Sequence, residues 1–527
     1  MTRYDIVIRG GYVLDGAGAP PMRKDVGIVG DTIVKIGDLS NVEAEKIIRA
    51  DGLFVAPGFI DIHNHSDLGV FLVPTADNYI RQGVTTIVVG NCGSSPAPLT
   101  DNNIDAFKEM RKEFYEKFGI PWRSFSEYLD KLEELKKSIN VATLVGHGTV
   151  RSAVLGFENR PPTEKELSEM KSFVEEAMKA GAFGLSTGLI YIPSAFASLE
   201  EIVELAKVAA RYGGIYATHM RNEGNLLIDA VIEALTIGIR SGASVEISHL
   251  KASGIPAWGN VKKALALIED YARRGFDVSA DAYPYTASST GLEALLPKWI
   301  REGGRRKLIE RLKDPEIIER IRRDLERSGV MEGRYIEWHQ VVIALSETHP
   351  EVVGKDLAEI SREWNLDPLR ATAKLLIDDE GGTFVVIHAM NENDVKEVIK
   401  HPLVAISTDG SIREFGKGKP HPRNYGTYPR VLAKYVREEK IISLPEAIRK
   451  MTSLPARKIG LWDRGIIRPG MKADITIFNF YTVKDTATYE DPHSYPQGIE
   501  YVIVNGVVVI EEGRHTGATP GRLLRKG

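Results

Sequence analysis

The fold is decided by an apolar strand that ends in a pair of histidines, Gly58-Phe59-Ile60-Asp61-Ile62-His63-Asn64-His65-Ser66-Asp67. Residues i and i+2 of a strand point to the same face, so both imidazoles can reach one ion. The carboxyl end of a parallel barrel strand is also where barrel enzymes place their active sites. Pairs of this kind occur in many proteins without a metal, so His63 and His65 alone do not decide the function.

Beyond this stretch, apolar runs of strand length alternate with amphipathic helical segments such as 164–180 and 199–212. The alternation predicts a parallel sheet that helices cover on both faces. The expected fold class is therefore α/β, a TIM-like (β/α)8 barrel. The nine candidate strands are 58–62, 84–89, 141–145, 182–186, 215–218, 244–248, 276–280, 384–387 and 404–407. An eight-stranded barrel needs one fewer, so at least one candidate belongs elsewhere.

Both ends of the chain carry short strand-like segments, including a hairpin with the turn Asn505-Gly506. Such strands are stable only when they pair or pack together. We therefore expect a small β domain from residues 1–56 and 466–527, with a catalytic barrel from residues 57–465 inserted into it. The alternation breaks at the charged segment 301–327. Residues 286–345 or so are predicted to form an insertion, either a lid over the site or a surface excursion.

The composition excludes several classes of protein. A net charge of -4, with 43% hydrophobic and 27% charged residues, describes a globular chain without the basic surface that binds nucleic acid or anionic membranes. The sequence contains no run of about 18 uncharged apolar residues that could span a membrane. The single cysteine, Cys92, has no partner for an internal disulfide. This fits a reducing compartment, and we expect a cytoplasmic protein.

Further polar residues stand directly after apolar runs. They are Cys92 after 84–89, His219 after 215–218, His249 after 244–248 and Asp409 after 404–407. The carboxyl ends of parallel strands meet at one edge of a barrel, so these side chains and the first histidine pair are expected to form one metal site. Taken singly, a buried cysteine is more often a small hydrophobic residue, and a histidine more often part of the core.

Imidazole and thiolate ligands suit Zn²⁺. A zinc ion acidifies its bound water to a pKa of about 7 and polarises a substrate carbonyl, which points to hydrolysis. Asp409 is the candidate catalytic base, which would take a proton from water and pass it to a leaving nitrogen. The alternative role for Asp409 is that of a plain metal ligand.

Other residues have weaker signals. His147 and His388 also follow apolar runs and either face the site or pack in the core. Tyr191 and Phe196 are candidates for lining a pocket, although aromatic residues there are equally expected from packing.

Several segments together resemble the N-acyl-D-amino-acid deacylase (D-aminoacylase) group of the amidohydrolase superfamily. They occur in the order typical of that group and lie at 56–67, 90–93, 146–151, 184–189, 218–221, 248–251, 281–285 and 421–427. The resemblance implies a metal-dependent hydrolase barrel with a small β domain from both termini.

The resemblance also implies a division of the ligands. Cys92, His219 and His249 would hold a tight zinc ion, and His63, His65, Cys92 and Asp409 a second, weaker one. Hydantoinase and dihydroorotase relatives bridge two metals with a carboxylated lysine. Residues 181–189 contain no lysine, and Cys92 takes the bridging place, which counts against a hydantoinase.

By the same resemblance, Lys251, Tyr283 and Arg423 would hold the free carboxylate of the substrate. The expected activity is zinc-dependent hydrolysis of the amide bond of N-acyl-D-amino acids, with a small-molecule substrate of the N-acyl amino acid or dipeptide class. The alternatives are a dipeptidase-like or other amidohydrolase that acts on a related amide, and a non-catalytic scaffold with this fold. The charged stretch 413–419 is longer than the resemblance suggests, so the substrate side chain stays open.

Overall fold

The centre of the molecule is a barrel of parallel strands. The computed structural model describes residues 3–330 and 333–527. Within them the barrel has eight strands, with an interrupted third strand: Phe59–Asp61, Val84–Val89, Asn140–Thr143 with Val145–Gly146, Gly184–Gly188, Ile215–His219, Ser244–Ile247, Val278–Ala282 and Val404–Ile406. Neighbours in this order pair in parallel. The predicted α/β barrel is confirmed.

The barrel closes just beyond the ends of its first and last strands. The amide of His65 donates to the carbonyl of Gly410 at 2.8 Å, and the amide of Asp409 donates to the carbonyl of His63 at 3.0 Å. Below them, Thr408 donates through its amide to Asp61 at 2.9 Å. Two predicted site residues, His63 and Asp409, are therefore part of the closing seam.

Helices surround the barrel. The main ones are Phe125–Glu134, His147–Leu155, Glu164–Ala180, Leu199–Arg211, Leu227–Ser241, Val261–Arg273, Glu392–Lys400, Arg423–Arg430, Leu444–Met451 and Ser453–Ile459. Glu164–Ala180 begins with a capping box between Thr163 and Glu166, which satisfies amides that a helix start leaves unpaired. Among the helices of the described residues, none combines the length and apolarity of a membrane span.

The ninth candidate strand lies outside the barrel. Phe384–Ile387 pairs antiparallel with Ser288–Gly291 on one side and with Val341–Leu345 on the other. The candidate that belongs elsewhere is thus 384–387. The sequence could not identify it, because a short apolar run between helices does not reveal whether its partners are parallel or antiparallel.

The insertion is consequently longer than the predicted 286–345 and reaches the end of this strand. Its helices are Lys298–Arg301, Arg305–Leu312, Pro315–Ser328, Leu357–Glu363 and Pro368–Asp378. It has a separate apolar cluster that includes Leu295, Ile321, Ile343 and Leu375. A segment with its own sheet and core is a folded unit rather than a loop.

The two ends of the chain form sheets beside the barrel. One sheet has the order Thr32–Gly37, Asp25–Val29, Tyr4–Arg9 and Ala44–Arg49. The other has the order Arg514–His515, Val507–Glu511, Ile499–Val504, Ile475–Phe478, Phe54–Pro57, Tyr12–Val13 and Met22–Arg23. Since Ile475–Phe478 pairs with Phe54–Pro57, the expected β unit built from both termini is present.

The last residues leave this unit. The amide of Val141 donates to the carbonyl of Arg522 at 2.9 Å, and that of Leu524 donates to Val141 at 2.8 Å. The end of the predicted range 466–527 thus pairs with the third barrel strand. Leu523 and Leu524 pack against the core there, but two adjacent leucines among glycine and basic residues are too short a pattern to predict a strand partner.

A buried polar cluster joins the terminal sheet to the barrel. Arg464 and Asp474 form an ion pair, and both are only 5% exposed. Asn505 donates through its amide to Asp474 at 2.7 Å and through its side chain to Asn140 at 2.8 Å. The cluster thus connects residues from the C-terminal strands with a barrel strand.

We predict that Asp474→Ala lowers the free energy of unfolding by about 3–5 kcal/mol, because it leaves the guanidinium of Arg464 buried without its carboxylate. Thermal and denaturant unfolding measure the change. The matched control is Asp463→Ala, whose carboxylate is 51% exposed and lies 3.7 Å from Arg464, and which should cost about 1 kcal/mol or less. Equal losses in the two variants would contradict the assigned role of the cluster.

Candidate metal centre

The predicted ligands meet at one end of the barrel. His63, Cys92, His219, His249 and Asp409 each stand at or just past the carboxyl end of a different strand. Three of them have left-handed backbones, with φ of 51° at Cys92, 36° at His249 and 48° at Asp409. Such backbone strain in residues other than glycine concentrates at functional sites, where the fold turns a side chain in a required direction.

One group of donors surrounds the sulfur of Cys92. Its Sγ lies 3.6 Å from Nδ1 of His219 and 3.5 Å from Nε2 of His249. A zinc ion with tetrahedral ligands separates them by roughly 3.3–3.8 Å, given its bond lengths of about 2.0–2.3 Å. The three side chains are nearly buried. Their spacing and their chemistry fit a zinc ion.

A second group shares the same sulfur. Nε2 of His63 lies 3.3 Å from Sγ of Cys92 and 3.5 Å from Oδ1 of Asp409. Nε2 of His65 lies 3.1 Å from the same carboxylate oxygen. Donor atoms in the triplets His63, His65, Cys92 and His63, His249, Asp409 lie within 4.8 Å of one another. The structure therefore brings together all six predicted ligands, with His65 at the more exposed side.

The charges of the site favour metal binding. Burial alone would raise the pKa of the Cys92 thiol, but the imidazoles of His63, His219 and His249 outweigh burial and hold this pKa well below its ordinary value. Burial would also raise the pKa of Asp409, yet Arg423 and the neighbouring imidazoles hold it well below its ordinary value. Both groups are thus in the anionic form that binds a metal.

Close backbone packing fixes the loop of Cys92. A Cβ atom on Gly188 would lie 2.1 Å from the carbonyl oxygen of Cys92. The amide of Gly93 donates to the hydroxyl of Ser186 at 3.0 Å. The fourth barrel strand therefore supports the loop that follows the second strand, and only glycine at position 188 permits the approach.

Two carboxylates lie beside the predicted ligand histidines, although Nε2 of His219 and Nδ1 of His63 have no hydrogen-bond partner among the described residues. Oε1 of Glu223 lies 2.9 Å from Nδ1 of His249, and Oε2 lies 3.8 Å from Nε2 of His219. Asp281 accepts from the amide of His249 at 3.0 Å and lies 3.5 Å from Nδ1 of His63. Outer carboxylates of this kind fix the ring orientation and the tautomer of metal-binding histidines.

Sequence reasoning missed the role of both carboxylates. Asp281 stood in a quoted motif, but its role was not recognised. Glu223 lies just past the motif 218–221, four residues after His219. Glu223 lies in the loop that begins at the predicted ligand His219. This position is the signal that could have identified it.

The three residues predicted to hold a carboxylate also lie together. Arg423 donates to Oδ2 of Asp409 at 2.8 Å, and its guanidinium lies 4.7 Å from the ring centre of Tyr283. The ammonium of Lys251 lies 5.7 Å from the same ring. The hydroxyl of Tyr283 is buried and has no hydrogen-bond partner among the described residues. The cluster adjoins the metal ligands and presents cationic and donor groups.

Other predicted residues have different surroundings. His147 is buried and lies within hydrogen-bond distance of Ser194, at 2.8 Å, and of Glu201, at 3.0 Å. His388 packs against the ring of Tyr489, 4.8 Å between centres. Both are packed residues rather than ligands.

Two aromatic residues were predicted to line a pocket. Tyr191 lies edge-on to His219, 5.1 Å between ring centres, and its hydroxyl is 3.1 Å from Thr290 of the insertion. Phe196 ends the turn Ser194–Phe196. Tyr191 thus borders the metal centre.

The sequence profile of the amidohydrolase family matches residues 46–510. The chain belongs to this family. Along its full length it is similar to an N-acyl-D-glutamate deacylase from Alcaligenes xylosoxydans xylosoxydans, with 37% identity over 100% of this chain and 97% of the relative. The amidohydrolase is thus deacylase-like in sequence.

Solved structures agree with this relationship. An N-acyl-D-glutamate deacylase from Bordetella bronchiseptica, in complex with zinc and a phosphonate that mimics the tetrahedral intermediate, has a TM-score of 0.85 and 34% identity over 99% of this chain and 100% of that chain. A D-aminoacylase with a binuclear metal centre, in which one metal activates and a second attenuates, has a TM-score of 0.83 and 35% identity over the same shares of the two chains.

We predict that Gly188→Ala weakens zinc binding by about tenfold or more, because the new methyl group displaces the backbone of Cys92 and with it the thiolate. Competition with a chromogenic chelator measures the affinity. Gly37→Ala is the control, since a Cβ atom there meets nothing within 4 Å. If Gly188→Ala binds zinc as tightly as the unmodified protein, the close approach does not position the thiolate.

Proposed function

We propose that the chain hydrolyses the amide bond of N-acyl-D-amino acids in a zinc-dependent reaction that releases a carboxylate and a free D-amino acid. The observation that carries the proposal is the cluster of Lys251, Tyr283 and Arg423 directly beside the two ligand groups that share Cys92. The whole-length similarity to N-acyl-D-amino-acid deacylases supports the same substrate class.

The metal would be held in two positions. Cys92, His219 and His249 would bind the tighter ion, and His63, His65, Cys92 and Asp409 a weaker second one. A zinc ion bound in such a site supplies a water acidified to a pKa of about 7 and a Lewis acid for the scissile carbonyl.

The protein's residues would supply binding and proton transfer. Arg423 and Lys251 would bind the free carboxylate of the substrate, and the hydroxyl of Tyr283 would donate to it. A substrate bound in this way would have its scissile amide carbonyl next to the two groups of metal ligands. Asp409, which Arg423 keeps ionised, would take the proton of the attacking water on a carboxylate oxygen and deliver it to the leaving nitrogen.

The first test is a substrate panel with added zinc. N-acetyl-D-amino acids should be hydrolysed with a kcat/KM at least about a hundredfold above that of their L isomers, because with the carboxylate and the amide carbonyl both fixed the two isomers direct their side chains to different parts of the pocket wall. Chromatography of the released amino acids measures both series. Dipeptides in the same panel test the dipeptidase alternative. Equal or faster turnover of the L series would overturn the deacylase assignment.

The second test separates metal binding from proton transfer. Cys92→Ala should remove bound zinc and abolish turnover, whereas Asp409→Asn should keep the tighter zinc ion and lower kcat by about 10²–10⁴-fold. Zinc content by mass spectrometry and kcat are the two measurements. Asp51→Asn, an exposed carboxylate on the terminal sheets, is the control. Unmodified protein that contains no zinc and hydrolyses nothing in the panel would favour the non-catalytic scaffold.

A further inference from the structure

We propose that Glu223 is a positioning residue that orients His249 for the metal, with His219 next to its second oxygen, and that Arg334 of the insertion balances its charge so that Lys251 can leave Glu223 for the substrate carboxylate. The part that concerns Lys251 rests on the proposed function. The part that concerns the histidines depends on metal binding alone.

Glu223 is the centre of a buried cluster of charges. Its side chain is 1% exposed. Oε1 accepts from the ammonium of Lys251 at 2.6 Å, and Oε2 accepts from the guanidinium of Arg334 at 2.8 Å. The two oxygens also face His249 and His219, as described above. A carboxylate buried among ligand histidines and two cations has both its charge and its orientation set by its partners.

The hydrogen bonds of His249 show what metal binding requires. Nε2 faces the sulfur of Cys92, and Nδ1 lies 2.9 Å from Glu223 and 2.8 Å from the ammonium of Lys251. A histidine that gives one ring nitrogen to a metal keeps the proton on the other, which is then a donor. In the structure Nδ1 accepts from the ammonium of Lys251. With a metal on Nε2, Nδ1 would instead carry the proton, donate to Glu223 and face a second donor in Lys251. The arrangement therefore favours displacement of Lys251 once the site is loaded.

Arg334 allows this displacement without leaving a carboxylate unbalanced. Its side chain is 3% exposed and reaches Glu223 from the insertion. The tip of the insertion is held on the loop that carries Glu223, since the amide of Asn225 donates to the carbonyl of Gly333 at 3.3 Å. A Cβ atom on Gly224 would lie 2.7 Å from the same carbonyl oxygen. The cation is thus fixed in place by backbone packing.

Lys251 and Arg334 contact different oxygens of the Glu223 carboxylate. Arg334 can therefore stay on Glu223 while Lys251 binds a substrate carboxylate. Without Arg334, Lys251 would be the cation of this pair that still contacts Glu223. Moving Lys251 to the substrate would then leave the buried carboxylate without either cation, and substrate binding would be weaker.

The first experiment tests the positioning of the histidines and needs no substrate. Glu223→Ala should weaken zinc binding by about 10–100-fold in a chelator competition. Glu223→Gln should largely restore it, because an amide oxygen still accepts from Nδ1 of His249. Glu246→Gln is the control, a carboxylate that is 2% exposed on a neighbouring strand and bonds to Ser279. Unchanged zinc affinity in Glu223→Ala overturns this part of the proposal.

The second experiment tests the release of Lys251. Arg334→Met should raise KM for the best N-acetyl-D-amino acid by about tenfold with a smaller change in kcat and unchanged zinc affinity. Arg334→Lys should restore most of the loss. In a Glu223→Gln background, where Lys251 is no longer held by a charge, Arg334→Met should change KM by about twofold or less. Arg322→Met, which removes the ion pair with Asp367 elsewhere in the insertion, is the control.

The outcomes separate the two proposals. Equal KM effects of Arg334→Met in both backgrounds, or no effect in either, overturn the role of Arg334. Binding of N-acetyl-D-leucine to the zinc-loaded protein, measured by calorimetry, repeats the comparison without turnover. A protein that neither binds nor hydrolyses the panel overturns the proposed function and with it the part on Lys251, while the zinc affinities of the Glu223 variants still decide the positioning of the histidines.

Discussion

A buried thiolate needs compensating charge, and the site is arranged around that need. The sulfur of Cys92 lies within 3.6 Å of imidazole nitrogens from three other strands. Asp281 and Glu223 lie beside those imidazoles. Because the sulfur belongs to both groups of candidate ligands, a shift of its loop would alter both groups together. This explains why the loop rests directly on the backbone of Gly188.

The sequence predicted which side chains would meet at this end of the barrel because the physics that places them is local. A strand of a parallel barrel ends at one edge, so a polar residue after an apolar run is directed to that edge whatever the rest of the fold does. Five residues of the site follow this rule, namely His63, Cys92, His219, His249 and Asp409. Lys251, Tyr283 and Arg423 came instead from the family resemblance, since a lysine, a tyrosine or an arginine in a loop carries no positional signal of its own.

The features that were missed depend on contacts between distant segments. Glu223 acquires its role from Arg334 and Lys251, and the bond to Arg334 spans 111 residues. Phe384–Ile387 has the apolar composition of a barrel strand, but its partners are two strands of the insertion. The end of the chain pairs with Asn140–Thr143 through a segment too short to show a strand pattern. Periodicity describes which face of an element is buried and not which element covers it.

The contacts between the first and last barrel strands determine at which stage of folding the candidate ligands meet. His65 and Asp409 are 344 residues apart in sequence, yet their side chains meet at 3.1 Å, next to the backbone bonds that join the first and last strands. Bringing such distant segments together closes a very long loop. The entropic cost of closing that loop is offset only after the intervening strands have paired. The group of His63, His65, Cys92 and Asp409 is therefore complete only after the barrel has closed. The group of Cys92, His219 and His249 needs only the second to the sixth strand, so the two groups would form at different stages of folding.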